Sequence, residues 1–354
     1  MKRILAINPG STSTKVALYA DKEVLFVETL DHPVVDLKKF ERVQDQFDFR
    51  KNVIIDLLEK NDIALESLDA IVGRGGLLPP VKSGAYKVNE AMVERLKNNP
   101  VVEHASNLGA LISFEIAEKL GIGAYIYDSV AVDELAEVAR ISGIPSIKRS
   151  SLSHALNARA MAHKYAEQVG KPYEEMNLIV AHLGGGISIS AHEKGQMIDI
   201  NSDDEGPFSP ERAGRVPCGK LVDLCYSGDY DKRGMKKLFR GNGGLTAYLG
   251  TVDAREVQQM IDDGNEEAKI VYEAMAYQVA KAIGELATVL KGKVDGVILT
   301  GGISYSKVMT DWITERVAFI GPVEVLAGEN ELESLAFGTL RVLNGQEEAR
   351  TYVD

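Results

Sequence analysis

Four short runs of small residues stand out: Asn8-Pro9-Gly10-Ser11-Thr12-Ser13, Gly73-Arg74-Gly75-Gly76, Gly184-Gly185-Gly186 and Gly301-Gly302. Each directly follows an apolar stretch with the character of a buried strand. Glycine lets backbone amides come close to an anion, and nearby hydroxyls and a lysine add donors and charge. One such run is usually only a hairpin turn. Four at strand ends point to a cleft for nucleotide phosphates.

Cations able to neutralise phosphate are few. Lys15 follows the first run, Arg74 sits inside the second, and Arg212 and Arg215 follow Asp203-Asp204-Glu205-Gly206-Pro207-Phe208-Ser209-Pro210. An arginine within a glycine turn has little apolar surface to cover, which favours a ligand role for Arg74. Arg215 reads better as a solvated surface residue. His154 falls in the first turn of a helix expected over 151–169, where free amides and the helix dipole favour an anion. His182 closes a strand beside three glycines. Each of these histidines fits a hydrogen-bonded core position equally well. Asp128 ends a strand, and Glu331 precedes the apolar Leu335-Ala336-Phe337-Gly338. Phosphoryl transfer uses Mg²⁺, which takes one or two carboxylates together with phosphates and water. For Glu331 a helix N-terminal carboxylate is the competing reading.

Several other chemistries lack their residues. Gly214-Arg215-Val216-Pro217-Cys218-Gly219-Lys220-Leu221 approaches a P-loop, but Leu221 stands where a metal-reaching hydroxyl belongs and Pro217 removes an amide. No Gly-x-Gly-x-x-Gly follows a strand, and neither His-Glu-x-x-His nor Gly-x-Ser-x-Gly occurs. Cys218 and Cys225 are the only cysteines, too few for a disulfide framework or a four-cysteine zinc site. With 40 Lys and Arg against 52 Asp and Glu, the net charge of −12 lacks the basic footprint of a nucleic-acid binder. No stretch approaches the ~20 apolar residues of a membrane span. The apolar run at Met1–Ile7 is too short for a signal peptide. The expectation is a cytoplasmic protein that partners neither nucleic acid nor membrane.

These residues need elements to carry them. Arg3–Ile7, Lys15–Tyr19 and Val24–Thr29 read as a three-strand meander. Leu178–Leu183, Ile187–Ser190 and Gln196–Ile200 repeat it half a chain later. Between and after them, strands at Ala70–Val72, Ala124–Tyr127 and Val294–Leu299 alternate with helices over 106–120, 151–169 and 266–290. At 354 residues the chain has room for two domains. The repeat suggests that both have one α/β fold, with ligands at the carboxyl ends of the strands.

The motifs together resemble those of the acetokinase family, within the acetate and sugar kinase/Hsp70/actin superfamily. The resemblance spans essentially the whole chain. It is carried by Asn8-Pro9-Gly10-Ser11-Thr12-Ser13-Thr14-Lys15, Gly73-Arg74-Gly75-Gly76, Arg149-Ser150-Ser151-Leu152-Ser153-His154, His182-Leu183-Gly184-Gly185-Gly186 and Leu299-Thr300-Gly301-Gly302-Ile303. It implies two duplicated actin-like ATPase domains of ribonuclease H-like fold with a cleft between them. The first, 1–148 plus 334–354, would hold the substrate and phosphate side, and the second, 149–333, the nucleotide side.

The implied activity is ATP- and Mg²⁺-dependent phosphorylation of a short-chain carboxylate to an acyl phosphate, or the reverse. Under the resemblance, Asn8, Ser11, Ser13 and Lys15 match the first phosphate turn. Arg74 and Arg212 match two active-site arginines, Asp128 an active-site aspartate, and His154 and His182 phosphate-facing histidines. Gly184, Gly185 and Gly186 form a second phosphate turn, Gly301 and Gly302 an adenosine loop, and Glu331, with Asp128, the metal side. The catalytic set so implied is Arg74, Asp128, His154 and Arg212.

Two departures matter. Acetate-specific members usually have His-Leu-Gly-Asn-Gly where this chain has His182-Leu183-Gly184-Gly185-Gly186. They have His-Gly-Gly where it has Gly75-Gly76-Leu77-Leu78. These favour butyrate, giving butanoyl phosphate, over acetate, with acetate, propionate and branched-chain acids such as isobutyrate kept as alternatives. Leu77, Leu78, Pro79, Pro80 and Phe208 are candidates for the acyl pocket. A nucleotide-switched binding protein of the actin/Hsp70 type is the rival from another class, and a homo-oligomer is implied.

Overall fold

The structure, a computed structural model, describes all residues from 1 to 354. The chain folds into two compact units, Met1–Asp133 with Asn330–Asp354, and Glu134–Glu329.

In the first unit, β1 (Arg3–Pro9), β2 (Ser13–Ala20) and β3 (Glu23–Asp31) form the expected antiparallel meander. Each strand extends a residue or more beyond its apolar run, because ladder hydrogen bonds continue into the polar turns. β4 (Ala70–Arg74) pairs in parallel with β1, and β6 (Gly123–Tyr127) in parallel with β4. β5 (Ala85–Lys87) and the strand Arg350–Thr351 complete a seven-stranded sheet. β1 is apolar on both faces because the sheet is covered: Tyr19 of the adjacent β2 meets Phe337, of the Glu331–Leu343 helix, edge-on at 5.8 Å. The Asn107–Leu120 helix ends at Gly121, left-handed at φ 67°.

That helix lies unusually close to β4. A Cβ on Gly73 would overlap the Gly109 carbonyl, and one on Gly109 would come within 2.6 Å of the Arg74 carbonyl. The glycines of the second run therefore serve strand–helix packing. Gly75 lies against Ser129, and Gly76 against Asn107, whose Oδ1 accepts from the Leu77 amide at 2.9 Å. Arg74 itself is the last residue of β4.

The second unit repeats the plan. β7 (Asn177–Leu183), β8 (Ile187–Glu193) and β9 (Gln196–Asn201) form the meander, with β10 (Gly296–Gly301) parallel to β7 and β11 (Val323–Ala327) parallel to β10. The order β9-β8-β7-β10-β11 matches β3-β2-β1-β4-β6 of the first sheet. Even the register irregularity recurs, after Leu18 in β2 and after Ala191 in β8. The duplication read from the sequence is thus present at the level of strand order. The Glu266–Val289 helix buries Val271, Met275, Val279, Ile283 and Leu286 at helical spacing in this core. No helix is long and apolar enough to cross a membrane.

One helix differs from expectation. The segment expected to be helical over 151–169 is helical only from Ala155 to Val169, with His154 at its N-cap and no side-chain cap. The serines at 150, 151 and 153 precede the helix and do not cap it.

Candidate functional site

The sequence-predicted residues fall into two groups, one in each unit. In the first unit, Asn8 is the penultimate residue of β1 and Arg74 the last of the neighbouring β4, so parallel pairing brings both to the same end of the two strands. Glu331 begins the Glu331–Leu343 helix behind Asn330, whose side chain accepts from the Glu333 amide. Its carboxylate accepts from the Asn8 amide nitrogen on one oxygen and pairs with the Arg74 guanidinium on the other. Three motifs far apart in sequence thus meet at one carboxylate.

The turn between β1 and β2 closes with the Gly10 amide donating to the Ser13 carbonyl at 2.8 Å. Ser11 is exposed and Ser13 half-buried; Lys15, exposed on β2, sits opposite Asn8 in register. Beneath this turn lies a residue that belongs to none of the motifs. Arg50, on the Phe47–Lys60 helix, is wholly buried. Its Nη1 donates to the Gly10 and Ser13 carbonyls at 2.8 and 3.0 Å and to Thr14 Oγ1 at 3.1 Å. Its Nη2 donates to the Ser11 carbonyl at 2.9 Å, and both Nε and Nη2 donate to Gln46 Oε1. Burial pulls the guanidinium down to about 10, so it stays charged at neutral pH. Thr14 Oγ1 also hydrogen-bonds His32 Nε2 at 2.8 Å. Burial, and then the Arg50 charge, push His32 down to about 4, so it is neutral. The sequence signal for Arg50 is a charge placed i, i+4 and i+7 with Ile54 and Leu57 on a buried helix face.

Asp128 follows β6 with φ 39° and only 1% exposure. Its carboxylate accepts from the Gly84 amide at 2.8 Å. Glu331 is more open, with a quarter of its side chain accessible. No three metal-ligating side chains converge in either unit. Mg²⁺ does not require such a cluster, since one carboxylate with phosphate oxygens and waters suffices. Glu331, partly open, fits that pattern.

In the second unit, His182 is the penultimate residue of β7 and His154 leads into the Ala155–Val169 helix. Their rings stack. His182 Nδ1 lies 2.9 Å from Asn157 Oδ1, and His154 Nδ1 lies 2.8 Å from Ser188 Oγ. The Asn157 side chain thus takes up Nδ1 of His182. Its Nε2 then faces the glycine turn, where a Cβ on Gly184 would come within 2.9 Å, and Glu329 at 3.9 Å.

The turn Gly184–Gly186 is pinned by Ser209, whose hydroxyl donates to the Gly185 carbonyl at 2.6 Å. Arg212 lies across it: a Cβ on Gly186 would come within 2.6 Å of the guanidinium. Arg212 pairs with Asp203, which also receives Arg240 at 2.8 Å, and its Nε is buried without a protein acceptor. Burial, then the Arg240 charge, lower the Arg212 guanidinium from its ordinary value. Asp203, Ser209, Ser188 and Asn157 were not singled out from sequence, because their roles depend on contacts across strands.

Gly301 has φ 89°, and a Cβ there would overlap the Leu183 carbonyl; Gly302 is exposed with open space around its Cα. Arg215 makes an exposed bidentate pair with Glu285, at 2.6 and 2.9 Å, as a surface role requires. The rejected P-loop run starts the Cys218–Cys225 helix and borders an apolar cavity of about 620 Å³ that also takes in Phe208. That cavity holds none of the phosphate-turn residues. In the first unit Leu78 is buried, Leu77 and Pro79 are half-buried and Pro80 is exposed.

The profile of the Acetokinase family matches residues 147–338. Butyrate kinase 2 of Clostridium acetobutylicum is 50% identical over 352 residues, 99% of each chain. Among solved structures, Porphyromonas gingivalis acetate kinase superposes with a TM-score of 0.81 at 20% identity, covering 97% of this chain and all of the other. A propionate kinase from Francisella tularensis gives a TM-score of 0.74 at 20% identity, over 96% and 99%. These structural likenesses concern the fold.

Proposed function

The chain belongs to the acetokinase family, and from that premise we propose that it transfers the γ-phosphoryl group of ATP to butyrate, and back from butanoyl phosphate to ADP. A short-chain acid is ionised near neutral pH, since its pKa resembles that of Glu. Its carboxylate needs no general base to attack phosphorus. Catalysis then consists of positioning and charge stabilisation.

The observation that carries this reading is Arg212 lying on the Gly184–Gly186 turn with a buried, unbonded Nε. A donor held so, in low dielectric, suits the equatorial oxygens of a phosphoryl group in flight. Asp203, shared with Arg240, keeps the guanidinium oriented before substrate arrives. His154 and His182 line the approach to the same turn. Gly301 and Gly302 receive the adenosine, and Asn8, Ser11, Ser13 and Lys15 the phosphates.

Arg74 orients the substrate carboxylate, exchanging part of its pairing with Glu331 for the incoming anion. Glu331 would hold Mg²⁺, which neutralises charge on the phosphates. Asp128 supports its own turn. The relative at 50% identity supports butyrate as the acid. A methylene is worth only ~1–3 kcal/mol of discrimination, so neighbouring acids are turned over too.

The test is hydroxylamine trapping of the acyl phosphate with ATP and Mg²⁺ across straight and branched acids of two to six carbons. The expected maximum of kcat/KM is at four carbons, unbranched. A maximum at acetate, propionate or isobutyrate would reassign the substrate, and no acyl phosphate from any acid would end the kinase reading.

A further inference from the structure

The first phosphate turn owes its shape to a charge that no other part of the protein neutralises. All six hydrogen bonds from Arg50 end on carbonyls, a hydroxyl and an amide oxygen, and none of these partners is anionic. A fully buried cation without a counter-ion is costly, and hydrogen-bond dipoles compensate it only in part. Its field therefore reaches through the turn. The carbonyls of Gly10 and Ser11 are drawn inward to the guanidinium. In a trans peptide the N–H points opposite its carbonyl, so the amides of Ser11 and Thr12 face away from Arg50, on the outer side of the turn.

We infer that Arg50 is a positioning residue for phosphate: by gathering the Gly10, Ser11 and Ser13 carbonyls it turns amides outward, and it lends the turn a positive field for a nucleotide polyphosphate. Gln46, whose Oε1 takes Nε and Nη2 together, fixes the plane of the guanidinium. His32, neutral beside Thr14, adds no competing charge. The inference rests on the phosphoryl-transfer reading and adds to it a residue outside every motif.

The test compares binding of ATP with binding of adenosine by calorimetry, in the full-length protein with Mg²⁺, alongside melting temperatures and the kcat and KM of acyl phosphate formation. The informative variant is Gln46→Glu, which keeps the hydrogen bonds to Arg50 but neutralises its charge. It is expected to melt no lower than the parent, to bind ATP about tenfold more weakly, and to bind adenosine unchanged. Arg50→Gln should lose more ATP affinity than that, and Arg50→Lys, which keeps the charge without the fork, should recover part of the loss.

ATP affinity unaltered in Gln46→Glu, or ATP and adenosine affinities falling together, would overturn the inference and leave Arg50 a purely structural residue. Should Arg50→Gln fail to fold, Gln46→Glu decides alone. A parent protein that binds no ATP would instead overturn the phosphoryl-transfer reading.

Discussion

The imidazoles of His154 and His182 lie 3.9 Å apart at their centroids, with planes 13° from parallel. Each ring is held at Nδ1 by a side chain from a different element, Ser188 of β8 for one and Asn157 of the adjoining helix for the other. Neither ring can turn without disturbing its neighbour. His182→Gln should therefore affect His154 as well. We expect kcat to fall about 10²-fold, in the range for losing one transition-state donor, with KM for ATP changed far less. If the pair acts as a unit, the double variant with His154→Gln is little worse than either single one. Steady-state kinetics of the four proteins check this.

Arg212→Ala is expected to lower kcat about 10²–10³-fold while nucleotide affinity drops much less. Arg212→Lys should restore little, since a compact ammonium lacks the planar fork that spans from Asp203 to Gly186. Turnover near the parental rate in Arg212→Ala would remove this residue from the chemistry.

Gly301 and Gly302, the glycines proposed to receive adenosine, should respond in opposite ways. Gly301→Ala meets the Leu183 carbonyl and a left-handed backbone, and should destabilise by about 3 kcal/mol or more. Gly302→Ala meets nothing within 4 Å and should leave the melting temperature within a degree or two of the parent, a change of about 0.5 kcal/mol at most. A change in adenosine affinity in that stable variant would place the ligand against Gly302.

Two buried histidines set the acid limb of stability. His32 is pushed down to about 4, by burial and then Arg50, and His192, hydrogen-bonded to Tyr173 and Ser190, down to about 3, by burial and then Arg159. Unfolding releases both to an ordinary value near 6.5, where the open chain binds protons that the folded chain refuses. Stability is thus full above about pH 6.5 and declines as pH falls toward 4, by at most about 1.4 kcal/mol per unit for each histidine. Urea titrations from pH 7 to pH 4 should show this slope, and His192→Gln should roughly halve it.

Much of the frame was legible because local pattern decides it. Both meanders, the helix stop at Gly121 and the strand leading to Gly301 follow from apolar runs bounded by small residues. The Gly73–Gly76 run reads as a turn in sequence, but Gly73 and Arg74 belong to β4, and the glycines are compressed by Asn107, Gly109 and Ser129, which sequence spacing cannot reveal. The late start of the helix at Ala155 reflects His154 turning toward Ser188 instead of continuing the helix. Motif positions such as Asn8, Arg74 and Glu331 could be named from sequence, but not that they share one carboxylate. That fact depends on separations of 257 and 323 residues along the chain. Arg50 lies outside every motif, and three of its six hydrogen bonds end on backbone carbonyls, which carry no sequence signature.

The backbone contact of Gly73 with Gly109 couples β4 to its covering helix as one stiff beam. With no side chain between them to yield, Arg74 cannot slide along the sheet by itself. On the proposed role of Arg74, adaptation to a longer or shorter acid would come from torsions in the arginine's own stem or from its exchange with Glu331. A bulkier residue at Gly109 would therefore push on the backbone of Arg74 itself, and its cost would fall on strand and helix together.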